Sequence, residues 1–552
     1  MPQIVECVPN FSEGRDAAII SQITAEIEKV SDVMLLDVDP GRDTNRTVVT
    51  FAGSPEGVEE AAFQAIKKAA ELIDMAAHKG AHPRMGATDV CPFVPVSGVS
   101  VDDCVQLARR LGKRVADDLA IPVYLYEEAA TNAKRRSLAY LREGEYEALP
   151  EKLQSDEFKP DFGRPVFNSR SGATVIGVRE FLIAYNVNLN TRNVKLAREI
   201  ANTIREKGRT VANPKTGLKE TIPGTLKEVR AVGWYISEYH MAQVSVNLLN
   251  YKATPLYQVF EECDRVAREL GVRVTGSEMV GLVPLAAMLE SGRFYLKKQG
   301  NSTGVSEKEL VRVAVQSLGL EEISEFKPEH KIIEYRLRRP GRLAAMDMQA
   351  FCDELASDSP APGGGSVAAL SGALASGLAA MVGNLTCGKK GFEGVREQMV
   401  EIAERGQKLK DFFIAAIDQD TQAFDKVMAA FGLPKKTEEE KALRATAIEE
   451  ATRQATLVPF SVLEKCGDAI ELALAVARDG NPNSLSDAGV GGLMAAAAAE
   501  GALYNVQINL KNLADEKFKK NMQKKSLQIM KKVQRTQKNI KSILEDELGG
   551  GE

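Results

Sequence analysis

Histidine is scarce in this 552-residue sequence: it occurs only as His78, His82, His240 and His330. Seven cysteines are scattered along the chain without a C-x-x-C pair. This argues against a disulfide framework and against a thiolate zinc site. Because neither residue type shows the spacing of metal ligands, we expect no metal cofactor.

A large charge of one sign and long apolar runs are also missing. The net charge of −5 gives no reason to expect a nucleic-acid partner. We find no apolar run whose length approaches the roughly 20 residues needed to cross a bilayer. We therefore predict no transmembrane segment. The first residues lack the basic and apolar regions of a signal peptide. We therefore expect a cytoplasmic protein.

The chain is too long for one hydrophobic core, and its front part alternates strand and helix patterns. Residues 1–180 and 181–327 each show the order βαββαβ, which predicts two ferredoxin-like α/β subdomains. If their sheets faced each other, a cleft would form between them. A charged connector with proline punctuation follows at 328–345.

Beyond this connector, β-branched runs become rare and residues 346–546 show long helical periods rich in Ala and Leu. Five such periods joined by short breaks predict an up-and-down helical bundle. They cover residues 368–385, 398–430, 438–466, 489–512 and 518–544. The predicted fold class is therefore multidomain, α+β followed by all-α.

The segment from His78 to Pro95 holds two of the four histidines. Pro83 biases His82 toward an extended backbone. A histidine beside Arg84, on a loop before a strand, could move a proton next to an anionic substrate. On residue types alone, loop histidines that make surface hydrogen bonds are the commoner outcome.

Two other loops could complete such a site. The first, Val8–Gly14, offers Asn10, and we expect its Ser12 to cap a helix. The second contains Asp39 and Arg42. Asp39 could orient a histidine as the carboxylate of a catalytic triad does, although Asp-Pro-Gly is also common turn chemistry.

These front segments resemble glutamate formimidoyltransferase. The resemblance rests on E-C-V-P-N-F-S-E-G (6–14), L-L-D-V-D (35–39) and H-P-R-M-G (82–86), and on P-V-Y-L-Y (122–126) and V-G-L-V-P-L (280–285). It implies that His82 is the catalytic acid and base. The implied reaction moves the formimidoyl group of N-formimidoyl-L-glutamate to N5 of tetrahydrofolate and releases glutamate. Arg42, Arg84 or another cation would hold the carboxylates of the donor.

The resemblance also implies a folate-contacting loop at residues 163–172. Its members are Gly163, Arg164, Pro165, Val166, Phe167, Asn168, Ser169, Arg170, Ser171 and Gly172.

Four motifs stand out in the helical part. P-A-P-G-G-G-S (360–366) is a glycine-rich turn that would present free N–H groups at a helix start, or simply cap the helix. D-Q-D (418–420) places two carboxylates on different helix faces, so only one can face a cleft. S-D-A-G-V (486–490) opens another helix, and N-V-Q-I-N (505–509) puts two amides on one face.

Together these motifs resemble formimidoyltetrahydrofolate cyclodeaminase, so the whole chain resembles the bifunctional formimidoyltransferase-cyclodeaminase family. The implied reaction closes 5-formimidoyltetrahydrofolate to 5,10-methenyltetrahydrofolate and releases ammonia. The resemblance implies that Asp420 is catalytic. The other expected contacts of the folate are Gly364, Ser366, Ser486, Asp487, Asn505 and Asn509.

Two further interpretations stay open. In one, only the transferase is active and the helical part is an oligomerisation or folate-binding scaffold; in the other, the whole chain is a folate-binding scaffold without catalysis. The small-residue helices favour a homo-oligomer. Tetrahydrofolate is the expected co-substrate. The lysine-rich last helix could attract a polyglutamate tail on it, although such a run is usually only a solvated face.

Overall fold

The computed structural model describes residues 3–42, 44–80, 82–212, 219–338 and 341–548. The chain forms two compact units. The first comprises Met1–Met288 and Leu318–Arg338, and the second comprises Leu289–Ser317 and Arg339–Glu552. The first unit therefore holds both α/β subdomains, whereas Leu289–Ser317 belongs to the helical unit.

The first subdomain contains a seven-stranded sheet. Its strands are β1 (Ile4–Cys7), β2 (Asn10–Phe11), β3 (Val33–Gly41), β4 (Arg46–Gly53), β5 (Thr88–Ser97), β6 (Val123–Glu127) and β7 (Thr174–Val178). Its helices are α1 (Ala17–Glu28), α2 (Pro55–Leu72), α3 (Val101–Leu119), α4 (Leu138–Arg142) and α5 (Leu149–Lys152).

The order of these strands confirms the ferredoxin-like prediction and extends it. β1 and β2 both lie between β4 and β5, and β3 pairs with the outer side of β4, all antiparallel. β7 and then β6 are added to β5 in parallel, which the predicted βαββαβ order did not include. The parallel addition follows the crossover helix α3, as parallel strands require.

One local prediction was wrong. Asp16 caps α1, because its side chain accepts from the backbone N–H groups of Ala18 and Ile19. Ser12, which we expected to cap this helix, follows β2 directly, and its Oγ donates to the Gly86 carbonyl at 2.7 Å.

The second subdomain is a four-stranded antiparallel sheet in the order β11-β12-β8-β13, which confirms the second ferredoxin-like prediction. β9 and β10 form a separate antiparallel pair. The elements are β8 (Ile183–Leu189), α6 (Val194–Ile204), β9 (Arg209–Ala212), β10 (Lys219–Ile222), β11 (Val229–Ile236), β12 (Met241–Leu248), α7 (Leu256–Glu269) and β13 (Val274–Val280). The chain continues through α8 (Leu285–Lys298), α9 (Glu307–Ser317), α10 (Pro328–Lys331) and α11 (Ile333–Leu337).

The helical unit confirms all five long helices predicted from the sequence. Its elements are α12 (Met348–Leu355), α13 (Gly364–Cys387), α14 (Arg396–Phe431), α15 (Glu438–Asp479), α16 (Leu485–Lys511) and α17 (Glu516–Leu548). Glycines let these helices approach closely. A Cβ on Gly372 of α13 would lie 2.7 Å from the Phe413 ring of α14.

The apolar character of α13 was underestimated from the sequence. This helix has 24 residues and none that is charged, and by length and composition it could cross a membrane. α13 therefore contradicts the expectation that no apolar run in this chain approaches the length of a membrane span. In the structure, 61% of its most apolar window is buried, and it packs against α14, α15 and α16. These are the features of the core helix of a bundle.

Candidate active sites

The loop that carries His82 lies where the two other predicted loops meet. In the first of these loops, Ser12 Oγ donates to the carbonyl of Gly86 at 2.7 Å. In the second, Asn45 Nδ2 donates to the carbonyl of Lys79 at 3.0 Å. The backbone of the histidine loop is therefore fixed from two sides.

The loop at 163–172 packs against the same segment. Gly172 and Gly86 form an antiparallel β-bridge, and Ala87 N donates to the Ser171 carbonyl at 2.9 Å. Gly172 has a φ of +67°, and a Cβ there would lie 2.2 Å from the Met85 carbonyl oxygen. Only glycine allows this approach without strain. The structure thus brings the predicted folate loop beside the His82 loop.

Within this loop, two residues serve its own structure. The ring of Phe167 packs against Tyr146 with centroids 5.4 Å apart, and Asn168 Oδ1 accepts from Ser171 N at 2.9 Å. Arg170 donates to the carbonyls of Ala70 and Glu71, which holds the loop against α2. Ser171 and Gly172 are buried, whereas the other members are exposed: Gly163, Arg164, Pro165, Val166 and Ser169.

His82 is half-buried, and its Nδ1 lies 2.7 Å from the carbonyl oxygen of Pro83. Because a carbonyl only accepts, Nδ1 carries the proton and the neutral ring has its lone pair at Nε2. Burial lowers the pKa of His82 first, followed by the positive charge of Arg46. Asp89 acts in the opposite direction. His82 is therefore held in the form that accepts a proton at Nε2.

A buried ion pair lies close to this histidine. Arg142 donates to Asp89, whose side chain is fully buried at the start of β5. The same carboxylate accepts the backbone N–H of Met85 at 2.9 Å. The pair therefore fixes the H-P-R-M-G turn to the strand that follows it.

Arg46 is the first residue of β4, and its positive charge acts on His82. One of its terminal nitrogens donates to Asn10 Oδ1, and the negative charge of Asp39 also acts on it. Burial lowers its pKa. Its Nε is buried and, within the described part of the chain, has no hydrogen-bond partner. A buried guanidinium N–H without a partner is suited to an anionic ligand.

A cavity of about 320 Å³ lies between the two sheets of the first unit. Asp37 on β3 and Thr50 on β4 line it. The same two strands also carry the residues that reach the His82 site. Asp39 lies two positions from Asp37 on β3, and Arg46 lies four positions from Thr50 on β4. Such residues share a face, and their spacing corresponds to about 7 and about 13 Å. The cavity therefore lies on the same face of the sheet as the His82 site.

The second candidate site lies at the start of α13. The Asp420 carboxylate accepts the backbone N–H of Ser366, in the first turn of that helix. A Cβ on Gly365 would lie 2.2 Å from Asp420 Oδ1, so the glycine-rich turn is what allows the carboxylate to approach. Burial raises the pKa of Asp420, although the Ser366 N–H opposes that shift.

Two of the predicted neighbours of Asp420 lie at this helix start. Ser366 Oγ donates to the Ile417 carbonyl at 2.9 Å, which ties the turn to α14. Asn505 Nδ2 would lie 3.6 Å from a Cβ on Gly364. A carboxylic group, an amide and a helix N-terminus therefore converge here, all of which can bind a polar heterocycle.

Three family models match successive parts of the chain. They are described as "Formiminotransferase domain, N-terminal subdomain" (residues 4–179), "Formiminotransferase domain" (184–338) and "Formiminotransferase-cyclodeaminase" (347–528). The "Formimidoyltransferase-cyclodeaminase" of Sus scrofa is 44% identical over 523 residues, which covers 94% of this chain and 94% of the relative. The chain belongs to the formimidoyltransferase-cyclodeaminase family.

Shorter relatives match parts of this formimidoyltransferase-cyclodeaminase chain. The "Glutamate formimidoyltransferase" of Streptococcus pyogenes serotype M1 is 41% identical over 54% of this chain and 94% of its own length. The "Methenyltetrahydrofolate cyclohydrolase" of Methylorubrum extorquens is 46% identical over 31% of this chain and 82% of its own length. The α/β part and the helical part thus each have relatives that occur as separate proteins.

Not every predicted donor-binding arginine of this family member is free. The Arg84 guanidinium forms ion pairs with Glu145 and Glu147 at 2.8 and 2.7 Å. Its Nε donates to His78 at 3.3 Å. Arg84 would have to leave these partners to bind a substrate. Arg42 is exposed, and its carbonyl oxygen accepts from Arg15 Nε at 3.0 Å.

Asp39 lies near the His82 site, but it is not the hydrogen-bond partner of His82 Nδ1. The hydrogen bond at His82 Nδ1 is made with the Pro83 carbonyl, so that nitrogen does not form the triad-like bond predicted with Asp39. Asp39 and Asn10 instead flank the same β4 residue, Val48, on either side. Both therefore lie beside Arg46, and a catalytic role of Asp39 stays a prediction.

The motifs of the cyclodeaminase part lie at both ends of the bundle. Asn481 N donates to Thr386 Oγ1 at the end of α13, and α16 starts four residues later with Ser486 and Asp487 in its first turn. A 24-residue helix is about 36 Å long, so these two residues are far from the Asp420 of their own chain. Asn509 donates to Ala455 at 2.8 Å and connects α16 with α15.

The two aspartates of D-Q-D have different roles, as their spacing predicted. Asp418 is buried and accepts the backbone N–H groups of Leu343 and Ala344 at 2.9 and 3.0 Å. It fixes the segment before α12 to α14. Asp420 is left to face the start of α13.

Three residues near the first site escaped the sequence analysis. Asp89 and Arg142 are 53 positions apart, and only the charge of Asp89 inside an apolar strand pattern hinted at a partner. Arg46 is the first residue of β4, and no local pattern in the sequence indicated that its side chain lies at this site. In the described residues, no group of three or more His, Cys, Asp or Glu could hold a metal ion.

Proposed function

We propose that this chain is a bifunctional folate enzyme of histidine degradation. It transfers the formimidoyl group of N-formimidoyl-L-glutamate to N5 of tetrahydrofolate and releases glutamate. It then closes 5-formimidoyltetrahydrofolate to 5,10-methenyltetrahydrofolate and releases ammonia. The observation that supports the proposal is that each unit holds one titratable side chain, His82 or Asp420, next to the loop or turn of its own family motif.

In the first reaction, the folate N5 attacks the amidine carbon while His82 Nε2 takes its proton. The same imidazole then gives a proton to the departing nitrogen of glutamate. Arg46, with its unpartnered Nε, binds a carboxylate of the donor nearby. The ion pair of Asp89 and Arg142 holds the loop in place during both steps.

In the second reaction, N10 attacks the formimidoyl carbon and ammonia leaves. Asp420 receives the proton of N10 and delivers one to the leaving nitrogen. Burial moves the pKa of this carboxyl group upward, toward neutral pH. This suits a group that must both accept and donate a proton. As a carboxylate, it also stabilises the positive charge that develops on the closing ring.

Separate measurement of glutamate, ammonia and methenyltetrahydrofolate tests the proposal. The complete chain, given donor and tetrahydrofolate, should form all three in equal amounts. Glutamate without ammonia would leave only the transferase, with the bundle as a scaffold. If neither glutamate nor ammonia formed, both activities would be contradicted. The relative named as a cyclohydrolase favours a second candidate for the bundle: loss of methenyltetrahydrofolate after its formation would reveal such hydrolysis.

We also propose that the chain is a homo-oligomer through its helical unit. An exposed apolar face runs along α13 and α16, formed by Leu374, Met381, Leu385, Val490, Leu493, Tyr504 and Ile508. Residues 490 to 508 span about 27 Å, and two neighbouring helices are about 20 Å wide, which gives roughly 500 Å². Apolar patches of this size are often functional, and association of two such faces would remove both from water.

A two-fold antiparallel arrangement of two such faces would complete the second site. It would place Ser486 and Asp487 of one chain at the start of α13 of its partner, because they lie at opposite ends of these helices. In an isologous dimer, both sites would form in the same way.

Mixed dimers test this arrangement. Asp420→Ala and Asp487→Ala chains should each lose ammonia release when expressed alone. Co-expressed, half of the dimers are mixed and each has one intact site, so about a quarter of the wild-type ammonia release should return. No recovery would contradict a shared site. Co-expression of Asp420→Ala with Asp420→Asn is the matched control and should restore nothing.

The co-substrate is proposed to be polyglutamylated tetrahydrofolate in a cytoplasmic protein. α17 carries a row of exposed basic residues: Lys517, Lys520, Lys524, Lys525, Lys531, Lys532, Arg535, Lys538 and Lys541. Such a row attracts a chain of carboxylates. Affinity should rise with the number of glutamates and fall in added salt, as equilibrium binding would show. Equal affinities for one and five glutamates would contradict it. The free cysteines fit a reducing compartment.

A further inference from the structure

The cavity in the first unit contains a buried carboxyl group that the mechanism above does not use. Glu6 lies on β1 in the E-C-V-P-N motif and is only 4% exposed. It lines the cavity together with Arg179. Burial raises the pKa of Glu6 to about 7, although the charge of Arg179 acts in the opposite direction. Near pH 7 the side chain is therefore present in both protonation states.

The other groups around this cavity favour an anion. Its remaining charged or titratable side chains come from β3, the end of β7, α10 and α11: Asp37, Arg179, His330, Lys331 and Arg336. The residues paired with Glu6 across the sheet, Ala52 on β4 and Val94 on β5, are uncharged. With His330 neutral, three cations and two carboxylates give a net charge of +1. When Glu6 is protonated, the net charge becomes +2.

We propose that Glu6 couples the binding of a glutamyl carboxylate in this cavity to the uptake of one proton by its own side chain. The proposal rests on the proposed function, because the donor and tetrahydrofolate both carry a glutamyl group. No bond of the ligand is made or broken: the proton comes from solvent and forms an O–H bond on the carboxyl group of Glu6. Glu6 thus acts as a positioning residue that sets when Arg179 is available to the ligand.

The physical reason is the cost of like charges in a buried place. A ligand carboxylate beside ionised Glu6 would be repelled where little water screens the charges. Protonation removes the repulsion and frees Arg179 from its attraction to Glu6. Binding therefore stabilises the protonated form. Affinity should be high below pH 7 and decrease as the pH rises through this value, by up to tenfold per pH unit.

The pH dependence of binding to the complete chain tests this coupling. For the wild type, the Kd of N-formimidoyl-L-glutamate should rise at least tenfold between pH 7 and 9. Glu6→Gln should give a flat dependence and bind more tightly than the wild type at pH 9. Asp37→Asn is the matched control, because it changes an exposed carboxylate of the same cavity to an amide. It should keep the slope of the wild type.

Calorimetry in two buffers of different ionisation enthalpy counts the protons directly. At pH 8 the wild type should take up about one proton per ligand, and Glu6→Gln none. Tetrahydrofolate and tetrahydropteroate, which lacks the glutamyl group, distinguish the source of the carboxylate. Proton uptake with tetrahydrofolate but not with tetrahydropteroate would assign the bound carboxylate to the folate. Proton uptake with N-formimidoyl-L-glutamate would assign the carboxylate to the donor.

Two failures have different meanings. If the wild type turns over both substrates but binds each glutamyl ligand without a pH slope, or if Glu6→Gln keeps the slope, the proton coupling is wrong. If the wild type binds no glutamyl ligand and releases no glutamate, the proposed function itself is wrong.

Discussion

His82→Ala is expected to lower glutamate release by about 10²- to 10⁴-fold, the range for loss of a general acid–base group. The geometry gives the reason: Nδ1 is occupied by the Pro83 carbonyl, so Nε2 is the nitrogen that exchanges the proton. The measurement is the initial rate of glutamate formation from donor and tetrahydrofolate. The Kd of the folate should change much less than the rate.

The matched control is His78→Ala, which removes the other imidazole of the same loop. His78 contacts the Asn45 carbonyl and Arg84, so its loss disturbs structure rather than proton transfer. We expect less than a tenfold effect. Equal losses in both variants would contradict the role of His82.

The pH profile gives an independent check on the same group. A base acts in its neutral form, which exists above its pKa, and burial lowers the pKa of His82 from its ordinary value near 6.5. Activity should therefore persist as the pH falls below 6.5, and its acid limb should disappear in His82→Ala.

Asp420→Ala is expected to leave glutamate release intact and to lower ammonia release by about 10²- to 10⁴-fold. The intermediate, 5-formimidoyltetrahydrofolate, should accumulate. Asp420→Asn should behave in the same way, because the amide keeps the size and the hydrogen bond from Ser366 but cannot exchange the proton.

The matched control on the same helix is Asp425→Ala, which removes an exposed carboxylate. It should change neither product. If Asp420→Asn released ammonia at the wild-type rate, proton transfer by this residue would be wrong, even if Asp420→Ala were inactive through damage to the fold.

Local patterns were sufficient to predict much of this molecule. Helical periods in Ala- and Leu-rich sequence gave all five long helices, and α/β alternation gave both ferredoxin-like cores. The parallel pairing of β7 and β6 with β5 was not predicted, because it depends on a crossover and on the short helices that separate β6 from β7. Register between distant strands is not encoded in any one segment.

In the candidate sites, too, local patterns predicted some features, whereas others depend on residues that are distant in the sequence. The structure places the His82 loop beside residues 163–172, and Asp420 beside the glycine-rich turn, as the motifs suggested. The engagement of Arg84 by two glutamates depends on residues more than 60 positions away. The state of Glu6 likewise depends on its burial between two sheets, which no local pattern reports.

The central claim is that one chain carries out two consecutive reactions at two separate proton-transfer groups. Its most direct test isolates the intermediate made by Asp420→Ala chains and supplies it to His82→Ala chains. We predict that His82→Ala releases ammonia from it at the wild-type rate while it releases almost no glutamate from the original donor. Failure of His82→Ala to use the preformed intermediate would contradict the account, because the second reaction would then depend on the first site.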